Sequence, residues 1–120
     1  MTAVQFRALA LKLAGTVEGA HMGHADFRVG GKIFATLGYP RAGFAVVLVT
    51  PRDQDFLVNG HPRAFAAAAG AWGTAGSTTI TLRAATVRPV KAALEAAWRR
   101  RGGGTADVAA ALPTRPRSKK

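Results

Sequence analysis

Residues 21–34, HMGHADFRVGGKIF, bring together the side-chain types that most often do chemistry in proteins. Histidine and aspartate can hold a metal ion or transfer protons, and arginine and lysine can bind an anion. Three kinds of site therefore compete for this stretch: a metal centre, a catalytic acid–base pair and a charged binding surface.

The metal interpretation requires His21 and His24 to lie on the same side of the chain. In extended backbone, positions three apart point to opposite sides, so the two imidazoles converge only if the chain turns at Gly23. Asp26 or the distant His61 would then have to complete the ligand set. The chain has no cysteine, which excludes thiolate zinc sites, iron–sulfur clusters and disulfides. We expect no metal site and no cofactor.

Groups suited to catalysis are few. The chain holds six carboxylates, and three of them fit positions in a helix cap, on a helix surface or near the C-terminus. Ser77 lacks the strand–turn–helix context of a nucleophile elbow. An enzyme that uses His24 or Asp26 as its base stays an alternative, but we expect no catalytic site.

A predicted hairpin decides which charges share a surface. The segments ADFRV and KIFATL are typical of two strands joined by Gly30 and Gly31, since glycines supply the positive φ values that a type I′ turn needs. The turn predicts three cross-strand pairs, which are Val29 with Lys32, Arg28 with Ile33, and Phe27 with Phe34.

This register separates two faces. One face should pack against helices and carries Ala25, Phe27, Val29 and Phe34. The other combines polar and apolar groups and carries His24, Asp26, Arg28, Ile33, Ala35 and Leu37. On that mixed face Asp26 and Arg28 can form an ion pair, which on an ordinary solvated surface would contribute little.

The remaining patterns predict the elements that hold this hairpin. Apolar spacing favours a helix over residues 3–14, and residues 43–50 form an apolar strand that pairs with residues 32–38. Thr50-Pro51-Arg52-Asp53 is typical of a helix start, so a short helix should run from 51 to about 58. Residues 59–76 are mostly loop, with Trp72 anchoring it against the core.

The C-terminal half adds one strand and one long helix. Residues 77–84 alternate as in a half-exposed strand, and a helix with Trp98 on its apolar side begins at Val87. The resulting order, α-β-β-β-β-α-β-α, predicts an α+β fold: an antiparallel sheet with the N- and C-terminal helices packed on one face.

Length and charge bound the rest. The chain of 120 residues fits one domain, predicted for residues 1–101. Seven of the 17 basic residues lie in residues 99–120, and residues 102–120 are rich in glycine, alanine and proline, which predicts a flexible basic tail. No apolar run approaches the ~20 residues that cross a bilayer. We expect a cytoplasmic protein without membrane contact, and a monomer.

Several separated motifs together resemble the MmcQ/YjbR family. They are GHADFRVGGKIFATL, an apolar strand that ends in a Thr-Pro helix start, GAWG before a strand, and the AALEAAWRR helix. The resemblance covers about residues 4–101. It implies a CyaY-like α+β domain with a DNA-binding "double wing", in which hairpins project against nucleic acid.

On this chain the resemblance assigns DNA contact to Arg28 and Lys32 beside the Gly-Gly turn, to Arg41 in the second turn, and to Arg83. Binding through such scattered cations should be weak, salt-sensitive and largely independent of sequence. The alternative is a small-molecule-binding or resistance protein. Its pocket would lie between the mixed sheet face and the GAWG loop, lined by His24, Asp26, Arg28 and Trp72.

Overall fold

The computed structural model describes residues 1–103, which form four helices, six strands and one 3₁₀ turn. The helices are α1 (Ala3–Leu11), α2 (Pro51–Gly60), α3 (Gly70–Thr74) and α4 (Val87–Arg100), and the 3₁₀ turn covers Leu82–Ala84. The strands are β1 (Val17–His21), β2 (His24–Val29), β3 (Lys32–Leu37), β4 (Phe44–Leu48), β5 (Phe65–Ala67) and β6 (Ser77–Thr81).

The strands form one antiparallel sheet in the order β1-β2-β3-β4-β6-β5. Helices α1 and α4 pack together over one face of this sheet, and the core between them includes Phe6, Phe27, Phe34 and Leu94. The predicted α+β architecture, with terminal helices on one face, is confirmed. The opposite face of the sheet carries the polar groups described below.

Local signals fix the helix starts. The Thr50 hydroxyl accepts a hydrogen bond from the Asp53 amide at 3.1 Å, and Pro51 occupies the first turn, so the predicted start of α2 is confirmed. Thr2 and Gln5 cap each other reciprocally at the start of α1. Both helices therefore begin where their side chains satisfy free backbone amides.

The Gly30-Gly31 turn joins β2 and β3 as predicted, with φ values of 58° and 78°. Val29 pairs with Lys32 and Arg28 with Ile33, which confirms the first two predicted pairs. The third predicted pair was wrong.

Phe27 pairs with Ala35 and not with Phe34, because the register shifts between Phe27 and Arg28 and leaves Phe34 as an extra residue in β3. Beyond this β-bulge, each side chain of β3 points to the face opposite the one predicted. Ala35 and Leu37, predicted for the mixed face, instead share the core face with Phe27 and are buried. Thr36 takes their place opposite Asp26.

The segment between α2 and β6 is more ordered than its composition indicates. It contains strand β5 and helix α3, where the sequence predicted mostly loop. Trp72, predicted to anchor this segment against the core, is 72% exposed, so that prediction was wrong. Gln54 does the anchoring instead, since its side-chain amide donates to the carbonyls of Gly73 and Ser77 at 2.9 Å each.

Trp98 holds the C-terminal part of α4 to the segment that follows α1. It is buried as predicted and donates from Nε1 to the Ala14 carbonyl at 2.8 Å. The tail predicted for residues 102–120 lies outside the described residues from position 104 onward. Within residues 1–103, no helix has the length and apolar character needed to cross a membrane.

Candidate nucleic-acid interface

The polar centre of the sheet face without helices is Asp26, whose side chain is fully buried. Arg28 donates to both of its oxygens, from Nε to Oδ1 at 2.7 Å and from Nη2 to Oδ2 at 2.9 Å. His21 Nδ1 lies 2.7 Å from Oδ2. The ion pair predicted on sequence is present, but it covers a buried carboxylate and does not lie on a solvated surface.

The partners of Asp26 set its charge. The hydrogen bonds from Arg28 are the largest influence and lower the pKa of the Asp26 carboxyl below its ordinary value. Burial raises that pKa, and the hydrogen bond with His21 lowers it again, so the net direction is downward. In return, the carboxylate raises the pKa of Arg28. Asp26 is therefore an ionised structural anchor, and much of the Arg28 charge is neutralised by it.

The turns between the strands lie at two opposite ends of the sheet. The turns at 22–23 and 38–43 lie side by side at one end, where the rings of His24 and Tyr39 meet edge to face with centroids 5.3 Å apart. The Leu82 amide donates to the Gly43 carbonyl at 3.1 Å, which brings the 3₁₀ turn to the same place. We call this the loop end, made of residues 21–24, 38–43, 60–64 and 82–88. The Gly30-Gly31 turn lies at the opposite end.

The loop end carries an excess of positive charge from arginines and the N-terminus. Its four segments contain no aspartate or glutamate, all three histidines of the chain and four exposed arginines, which are Arg41, Arg63, Arg83 and Arg88. The terminal ammonium of Met1 lies there too, donating to the carbonyls of Leu82 and Ala85 at 3.0 and 3.3 Å. Arg41 stacks on the ring of Phe44, with 4.6 Å from its guanidinium carbon to the centroid. This end therefore presents cations without a competing carboxylate in its own segments.

A family model described as YjbR matches residues 11–100 of the chain. The chain belongs to the YjbR family. The match spans every strand of the sheet and ends with α4, which confirms the resemblance drawn from the separated motifs. No match to this YjbR protein was found among curated proteins or among solved structures.

The four DNA-contact residues predicted for this YjbR protein do not form one stripe. Arg41 and Arg83 lie together at the loop end, and Lys32 lies beside the Gly30-Gly31 turn at the other end of the sheet. Arg28 lies between them, because its guanidinium reaches back to Asp26 and approaches the Ala20 carbonyl. A strand of six residues is about 20 Å long, so the backbone of Lys32 is separated from the loop-end turn at 38–43 by about that distance. The Gly30-Gly31 turn and the turn at 38–43 thus lie at opposite ends of the sheet.

The alternative pocket of His24, Asp26, Arg28 and Trp72 is not assembled either. The first three follow each other along β2, but Trp72 lies on α3, next to β6, and β3 and β4 separate β2 from β6. A cavity of about 310 Å³ opens elsewhere, between the end of α2 and the start of α4, and Arg63 and Thr86 are among its lining residues.

The histidines of the YjbR protein do converge in the way that a metal site would need, since a turn at Met22–Gly23 pairs His21 directly with His24. Asp26, however, is already occupied by Arg28. Among residues 1–103, no three histidine, cysteine, aspartate or glutamate side chains are grouped so as to hold a metal ion.

Sequence reasoning missed two of the loop-end arginines and the part played by His21. Arg63 and Arg88 join Arg41 only through the long-range pairing of β5 with β6 and the position of α4. A local signal for His21 was available. The Met-Gly pair between two alternating strands resembles a two-residue hairpin turn, and that turn places His21 on the Asp26 face.

Proposed function

We propose that this YjbR protein binds DNA weakly and largely without sequence preference, through the phosphates that contact its loop end. The observation that supports this most is the charge of that end: four exposed arginines on three of its segments, with no carboxylate in any of them. Two hairpin tips, Met22–Gly23 and 38–43, project there side by side. They correspond to a pair of wings better than the Gly30-Gly31 turn does.

Phosphate contact explains how such a surface can work. Each cation that neutralises a phosphate releases counterions, and the gain does not depend on the base sequence. Arg41, Arg63 and Arg88 lie on a hairpin loop, a strand entry and a helix start, so they spread across the end of the domain. Spread cations match successive phosphates better than a single cluster does.

Sequence readout is not part of the proposal. Reading base edges needs side chains presented on a rigid element that fits a groove, such as arginine, asparagine or glutamine on a recognition helix. The loop-end segments contain no asparagine or glutamine, and their arginines lie in turns, a strand entry and the first turn of α4. We propose a binding role without catalysis, for a monomer in the cytoplasm.

Fluorescence anisotropy with a labelled duplex of about 20 base pairs tests the proposal, measured from ~50 to ~200 mM salt. In the full chain, one variant changes Arg41, Arg63, Arg83 and Arg88 to glutamine. The matched control has the same net charge and changes Lys12, Lys32, Arg52 and Arg99, which are exposed at the opposite end.

We expect the loop-end variant to bind at least about tenfold more weakly, with a salt slope reduced by roughly 0.9 for each phosphate that no longer meets a cation. The control should weaken clearly less. A third variant, with Arg115, Arg117, Lys119 and Lys120 changed to glutamine, measures what the C-terminal charges contribute. Equal weakening in the first two variants, or no binding by the wild type at the lowest salt, would overturn the proposal.

A further inference from the structure

Met22 stands at the tip of the β1–β2 hairpin with 90% of its surface exposed. Its φ is 50°, and among residues 1–103 it is the one residue other than glycine with a positive φ. Gly23 follows it with a φ of 80°. His21 and His24 pair directly beneath it, so the turn has only these two residues. The tip is therefore narrow and ends in an apolar thioether side chain.

Folding does not account for methionine at this position. A two-residue hairpin turn with positive φ at both positions favours asparagine, aspartate or glycine, since a Cβ raises the energy of left-handed backbone. A buried contact could offset this cost, but a side chain that is 90% exposed has almost none. The residue type is better explained by something that meets the tip from outside.

The neighbours of Met22 indicate what that partner is. His24 lies at the base of the turn and contacts Tyr39, which is half-exposed on the adjacent loop, and Arg41 follows two residues later. An apolar tip is thus flanked by an aromatic ring and a cation, at the end of the domain that has no carboxylate in its segments. This combination suits stacked bases between two rows of phosphates.

We propose that Met22 inserts as a wedge between two base pairs from the minor groove and kinks the duplex, while the loop-end arginines hold the phosphates on either side. The inference rests on the proposed DNA binding. Proteins that bend DNA in this way insert Phe, Leu, Ile, Met or Pro, and methionine adapts to an irregular gap because its side chain is long, unbranched and flexible. Binding should then favour flexible pyrimidine–purine steps and mismatches, where unstacking costs least.

The test compares the wild type with Met22→Asn, which keeps a residue suited to positive φ and removes the wedge. Val17→Asn is the matched control, since Val17 is an exposed apolar residue at the start of β1, the strand that leads into the turn, and lies at the opposite end of the sheet. One duplex carries 2-aminopurine at a central TA step and reports unstacking by increased fluorescence. A second carries dyes at its two ends and reports kinking by energy transfer.

We expect the wild type and Val17→Asn to raise 2-aminopurine fluorescence and bring the duplex ends closer, and Met22→Asn to do neither. Met22→Asn should bind the TA-step duplex about five- to tenfold more weakly. Its affinity for a stiff duplex and its salt slope should match the wild type, and its melting temperature should be equal or higher.

The two proposals fail differently. If the wild type binds with a steep salt slope but Met22→Asn unstacks and bends the duplex as well as the wild type does, the wedge is wrong and the DNA binding stands. If the wild type binds the duplex without unstacking any bases, the wedge is likewise wrong and the DNA binding stands. If the wild type binds vesicles of anionic lipid through Met22 and shows no salt-dependent DNA binding, both proposals are overturned.

Discussion

Gly19 lies directly opposite Asp26 in the β1–β2 pair, and the Asp26–Arg28 ion pair occupies the space that a side chain at Gly19 would fill. A Cβ on Gly19 would stand 3.0 Å from Asp26 Oδ1 and 3.1 Å from Arg28 Nε. Arg28 can thus lie flat over the edge strand, and its Nη2 also approaches the Ala20 carbonyl at 3.5 Å. A glycine in an edge strand makes the burial of this carboxylate possible.

Gly19→Val should therefore destabilise the domain, although valine normally favours strands. Its methyl groups would force Arg28 off the carboxylate, and overpacking of this kind costs about 1–3 kcal/mol in the free energy of unfolding. Urea denaturation measures the change. Ala20→Val is the control, since Ala20 is the exposed neighbour on the same strand and should change stability by no more than about 0.5 kcal/mol. Equal effects at the two positions would contradict the account.

Local signals in the sequence predicted the turn at Gly30-Gly31 and the start of α2, because glycine φ preferences and capping hydroxyls act over a few neighbouring residues. The bulge at Phe34 could not be predicted in this way. Phe34 and Ala35 are both apolar, so alternation alone does not reveal which of them is the extra residue, and a single insertion moves Leu37 to the other face.

The candidate surface depends even more on tertiary structure. Arg28 and Arg41 are both near hairpin turns in the sequence, but antiparallel pairing sends successive turns to opposite ends of the sheet. Arg63 and Arg88 reach the loop end only because β5 pairs with β6 and α4 begins beside that pair. The family resemblance pointed to Arg41 and Arg83, but nothing in the sequence spacing shows that Arg63 and Arg88 lie at the same end of the sheet.

The two partners of the ion pair should differ in their effect on stability. Asp26→Asn keeps an oxygen for Arg28 and should cost about 1 kcal/mol in the free energy of unfolding. Arg28→Met should cost more, because it leaves a buried carboxylate with His21 as its remaining side-chain partner. Chemical denaturation at neutral pH ranks the variants.

Arg7→Met serves as the control for Arg28→Met. Arg7 binds Glu18 at 3.1 Å, and both side chains in that pair are substantially exposed, so its removal should matter least of the three. If Asp26→Asn proves more destabilising than Arg28→Met, the idea that the buried carboxylate is stabilised by its bonds to Arg28 is contradicted.

Asp26 also predicts a pH dependence with a defined sign. Its folded pKa lies below the ordinary value of 3.8, so the folded state favours the ionised form more than the unfolded chain does. The stability that this provides is present above that ordinary value and is lost as the pH falls through the folded pKa. The difference in unfolding free energy between the wild type and Asp26→Asn should therefore be constant near neutral pH and shrink below about pH 4.

Because the other carboxylates are common to both proteins, their titration cancels in that difference. Denaturation curves collected from neutral to strongly acidic pH provide it. A difference that stays constant into acid, or one that grows, would mean that Asp26 is not held ionised by its partners.

Substitution of the two tryptophans should change stability by very different amounts, because Trp98 is buried and Trp72 is exposed. Trp98 is 7% exposed and donates to the Ala14 carbonyl, so Trp98→Phe removes both packing volume and a hydrogen bond between α4 and the segment after α1. We expect a decrease of about 2–3 kcal/mol in the free energy of unfolding. Trp72→Phe should stay within about 0.5 kcal/mol of the wild type, since Trp72 lies in solvent on α3.

Fluorescence separates the same two residues without relying on stability. Removing the exposed Trp72 should leave emission from Trp98 alone, shifted to shorter wavelength and poorly quenched by acrylamide. Efficient quenching of the emission that survives in Trp72→Phe would place Trp98 in solvent and contradict the packing of α4 against the sheet. The exposed Trp72 also serves as a probe of DNA binding. Helix α3 lies at the end of the sheet opposite the loop end. If DNA binds at the loop end, adding a duplex should leave the emission of Trp72 unchanged.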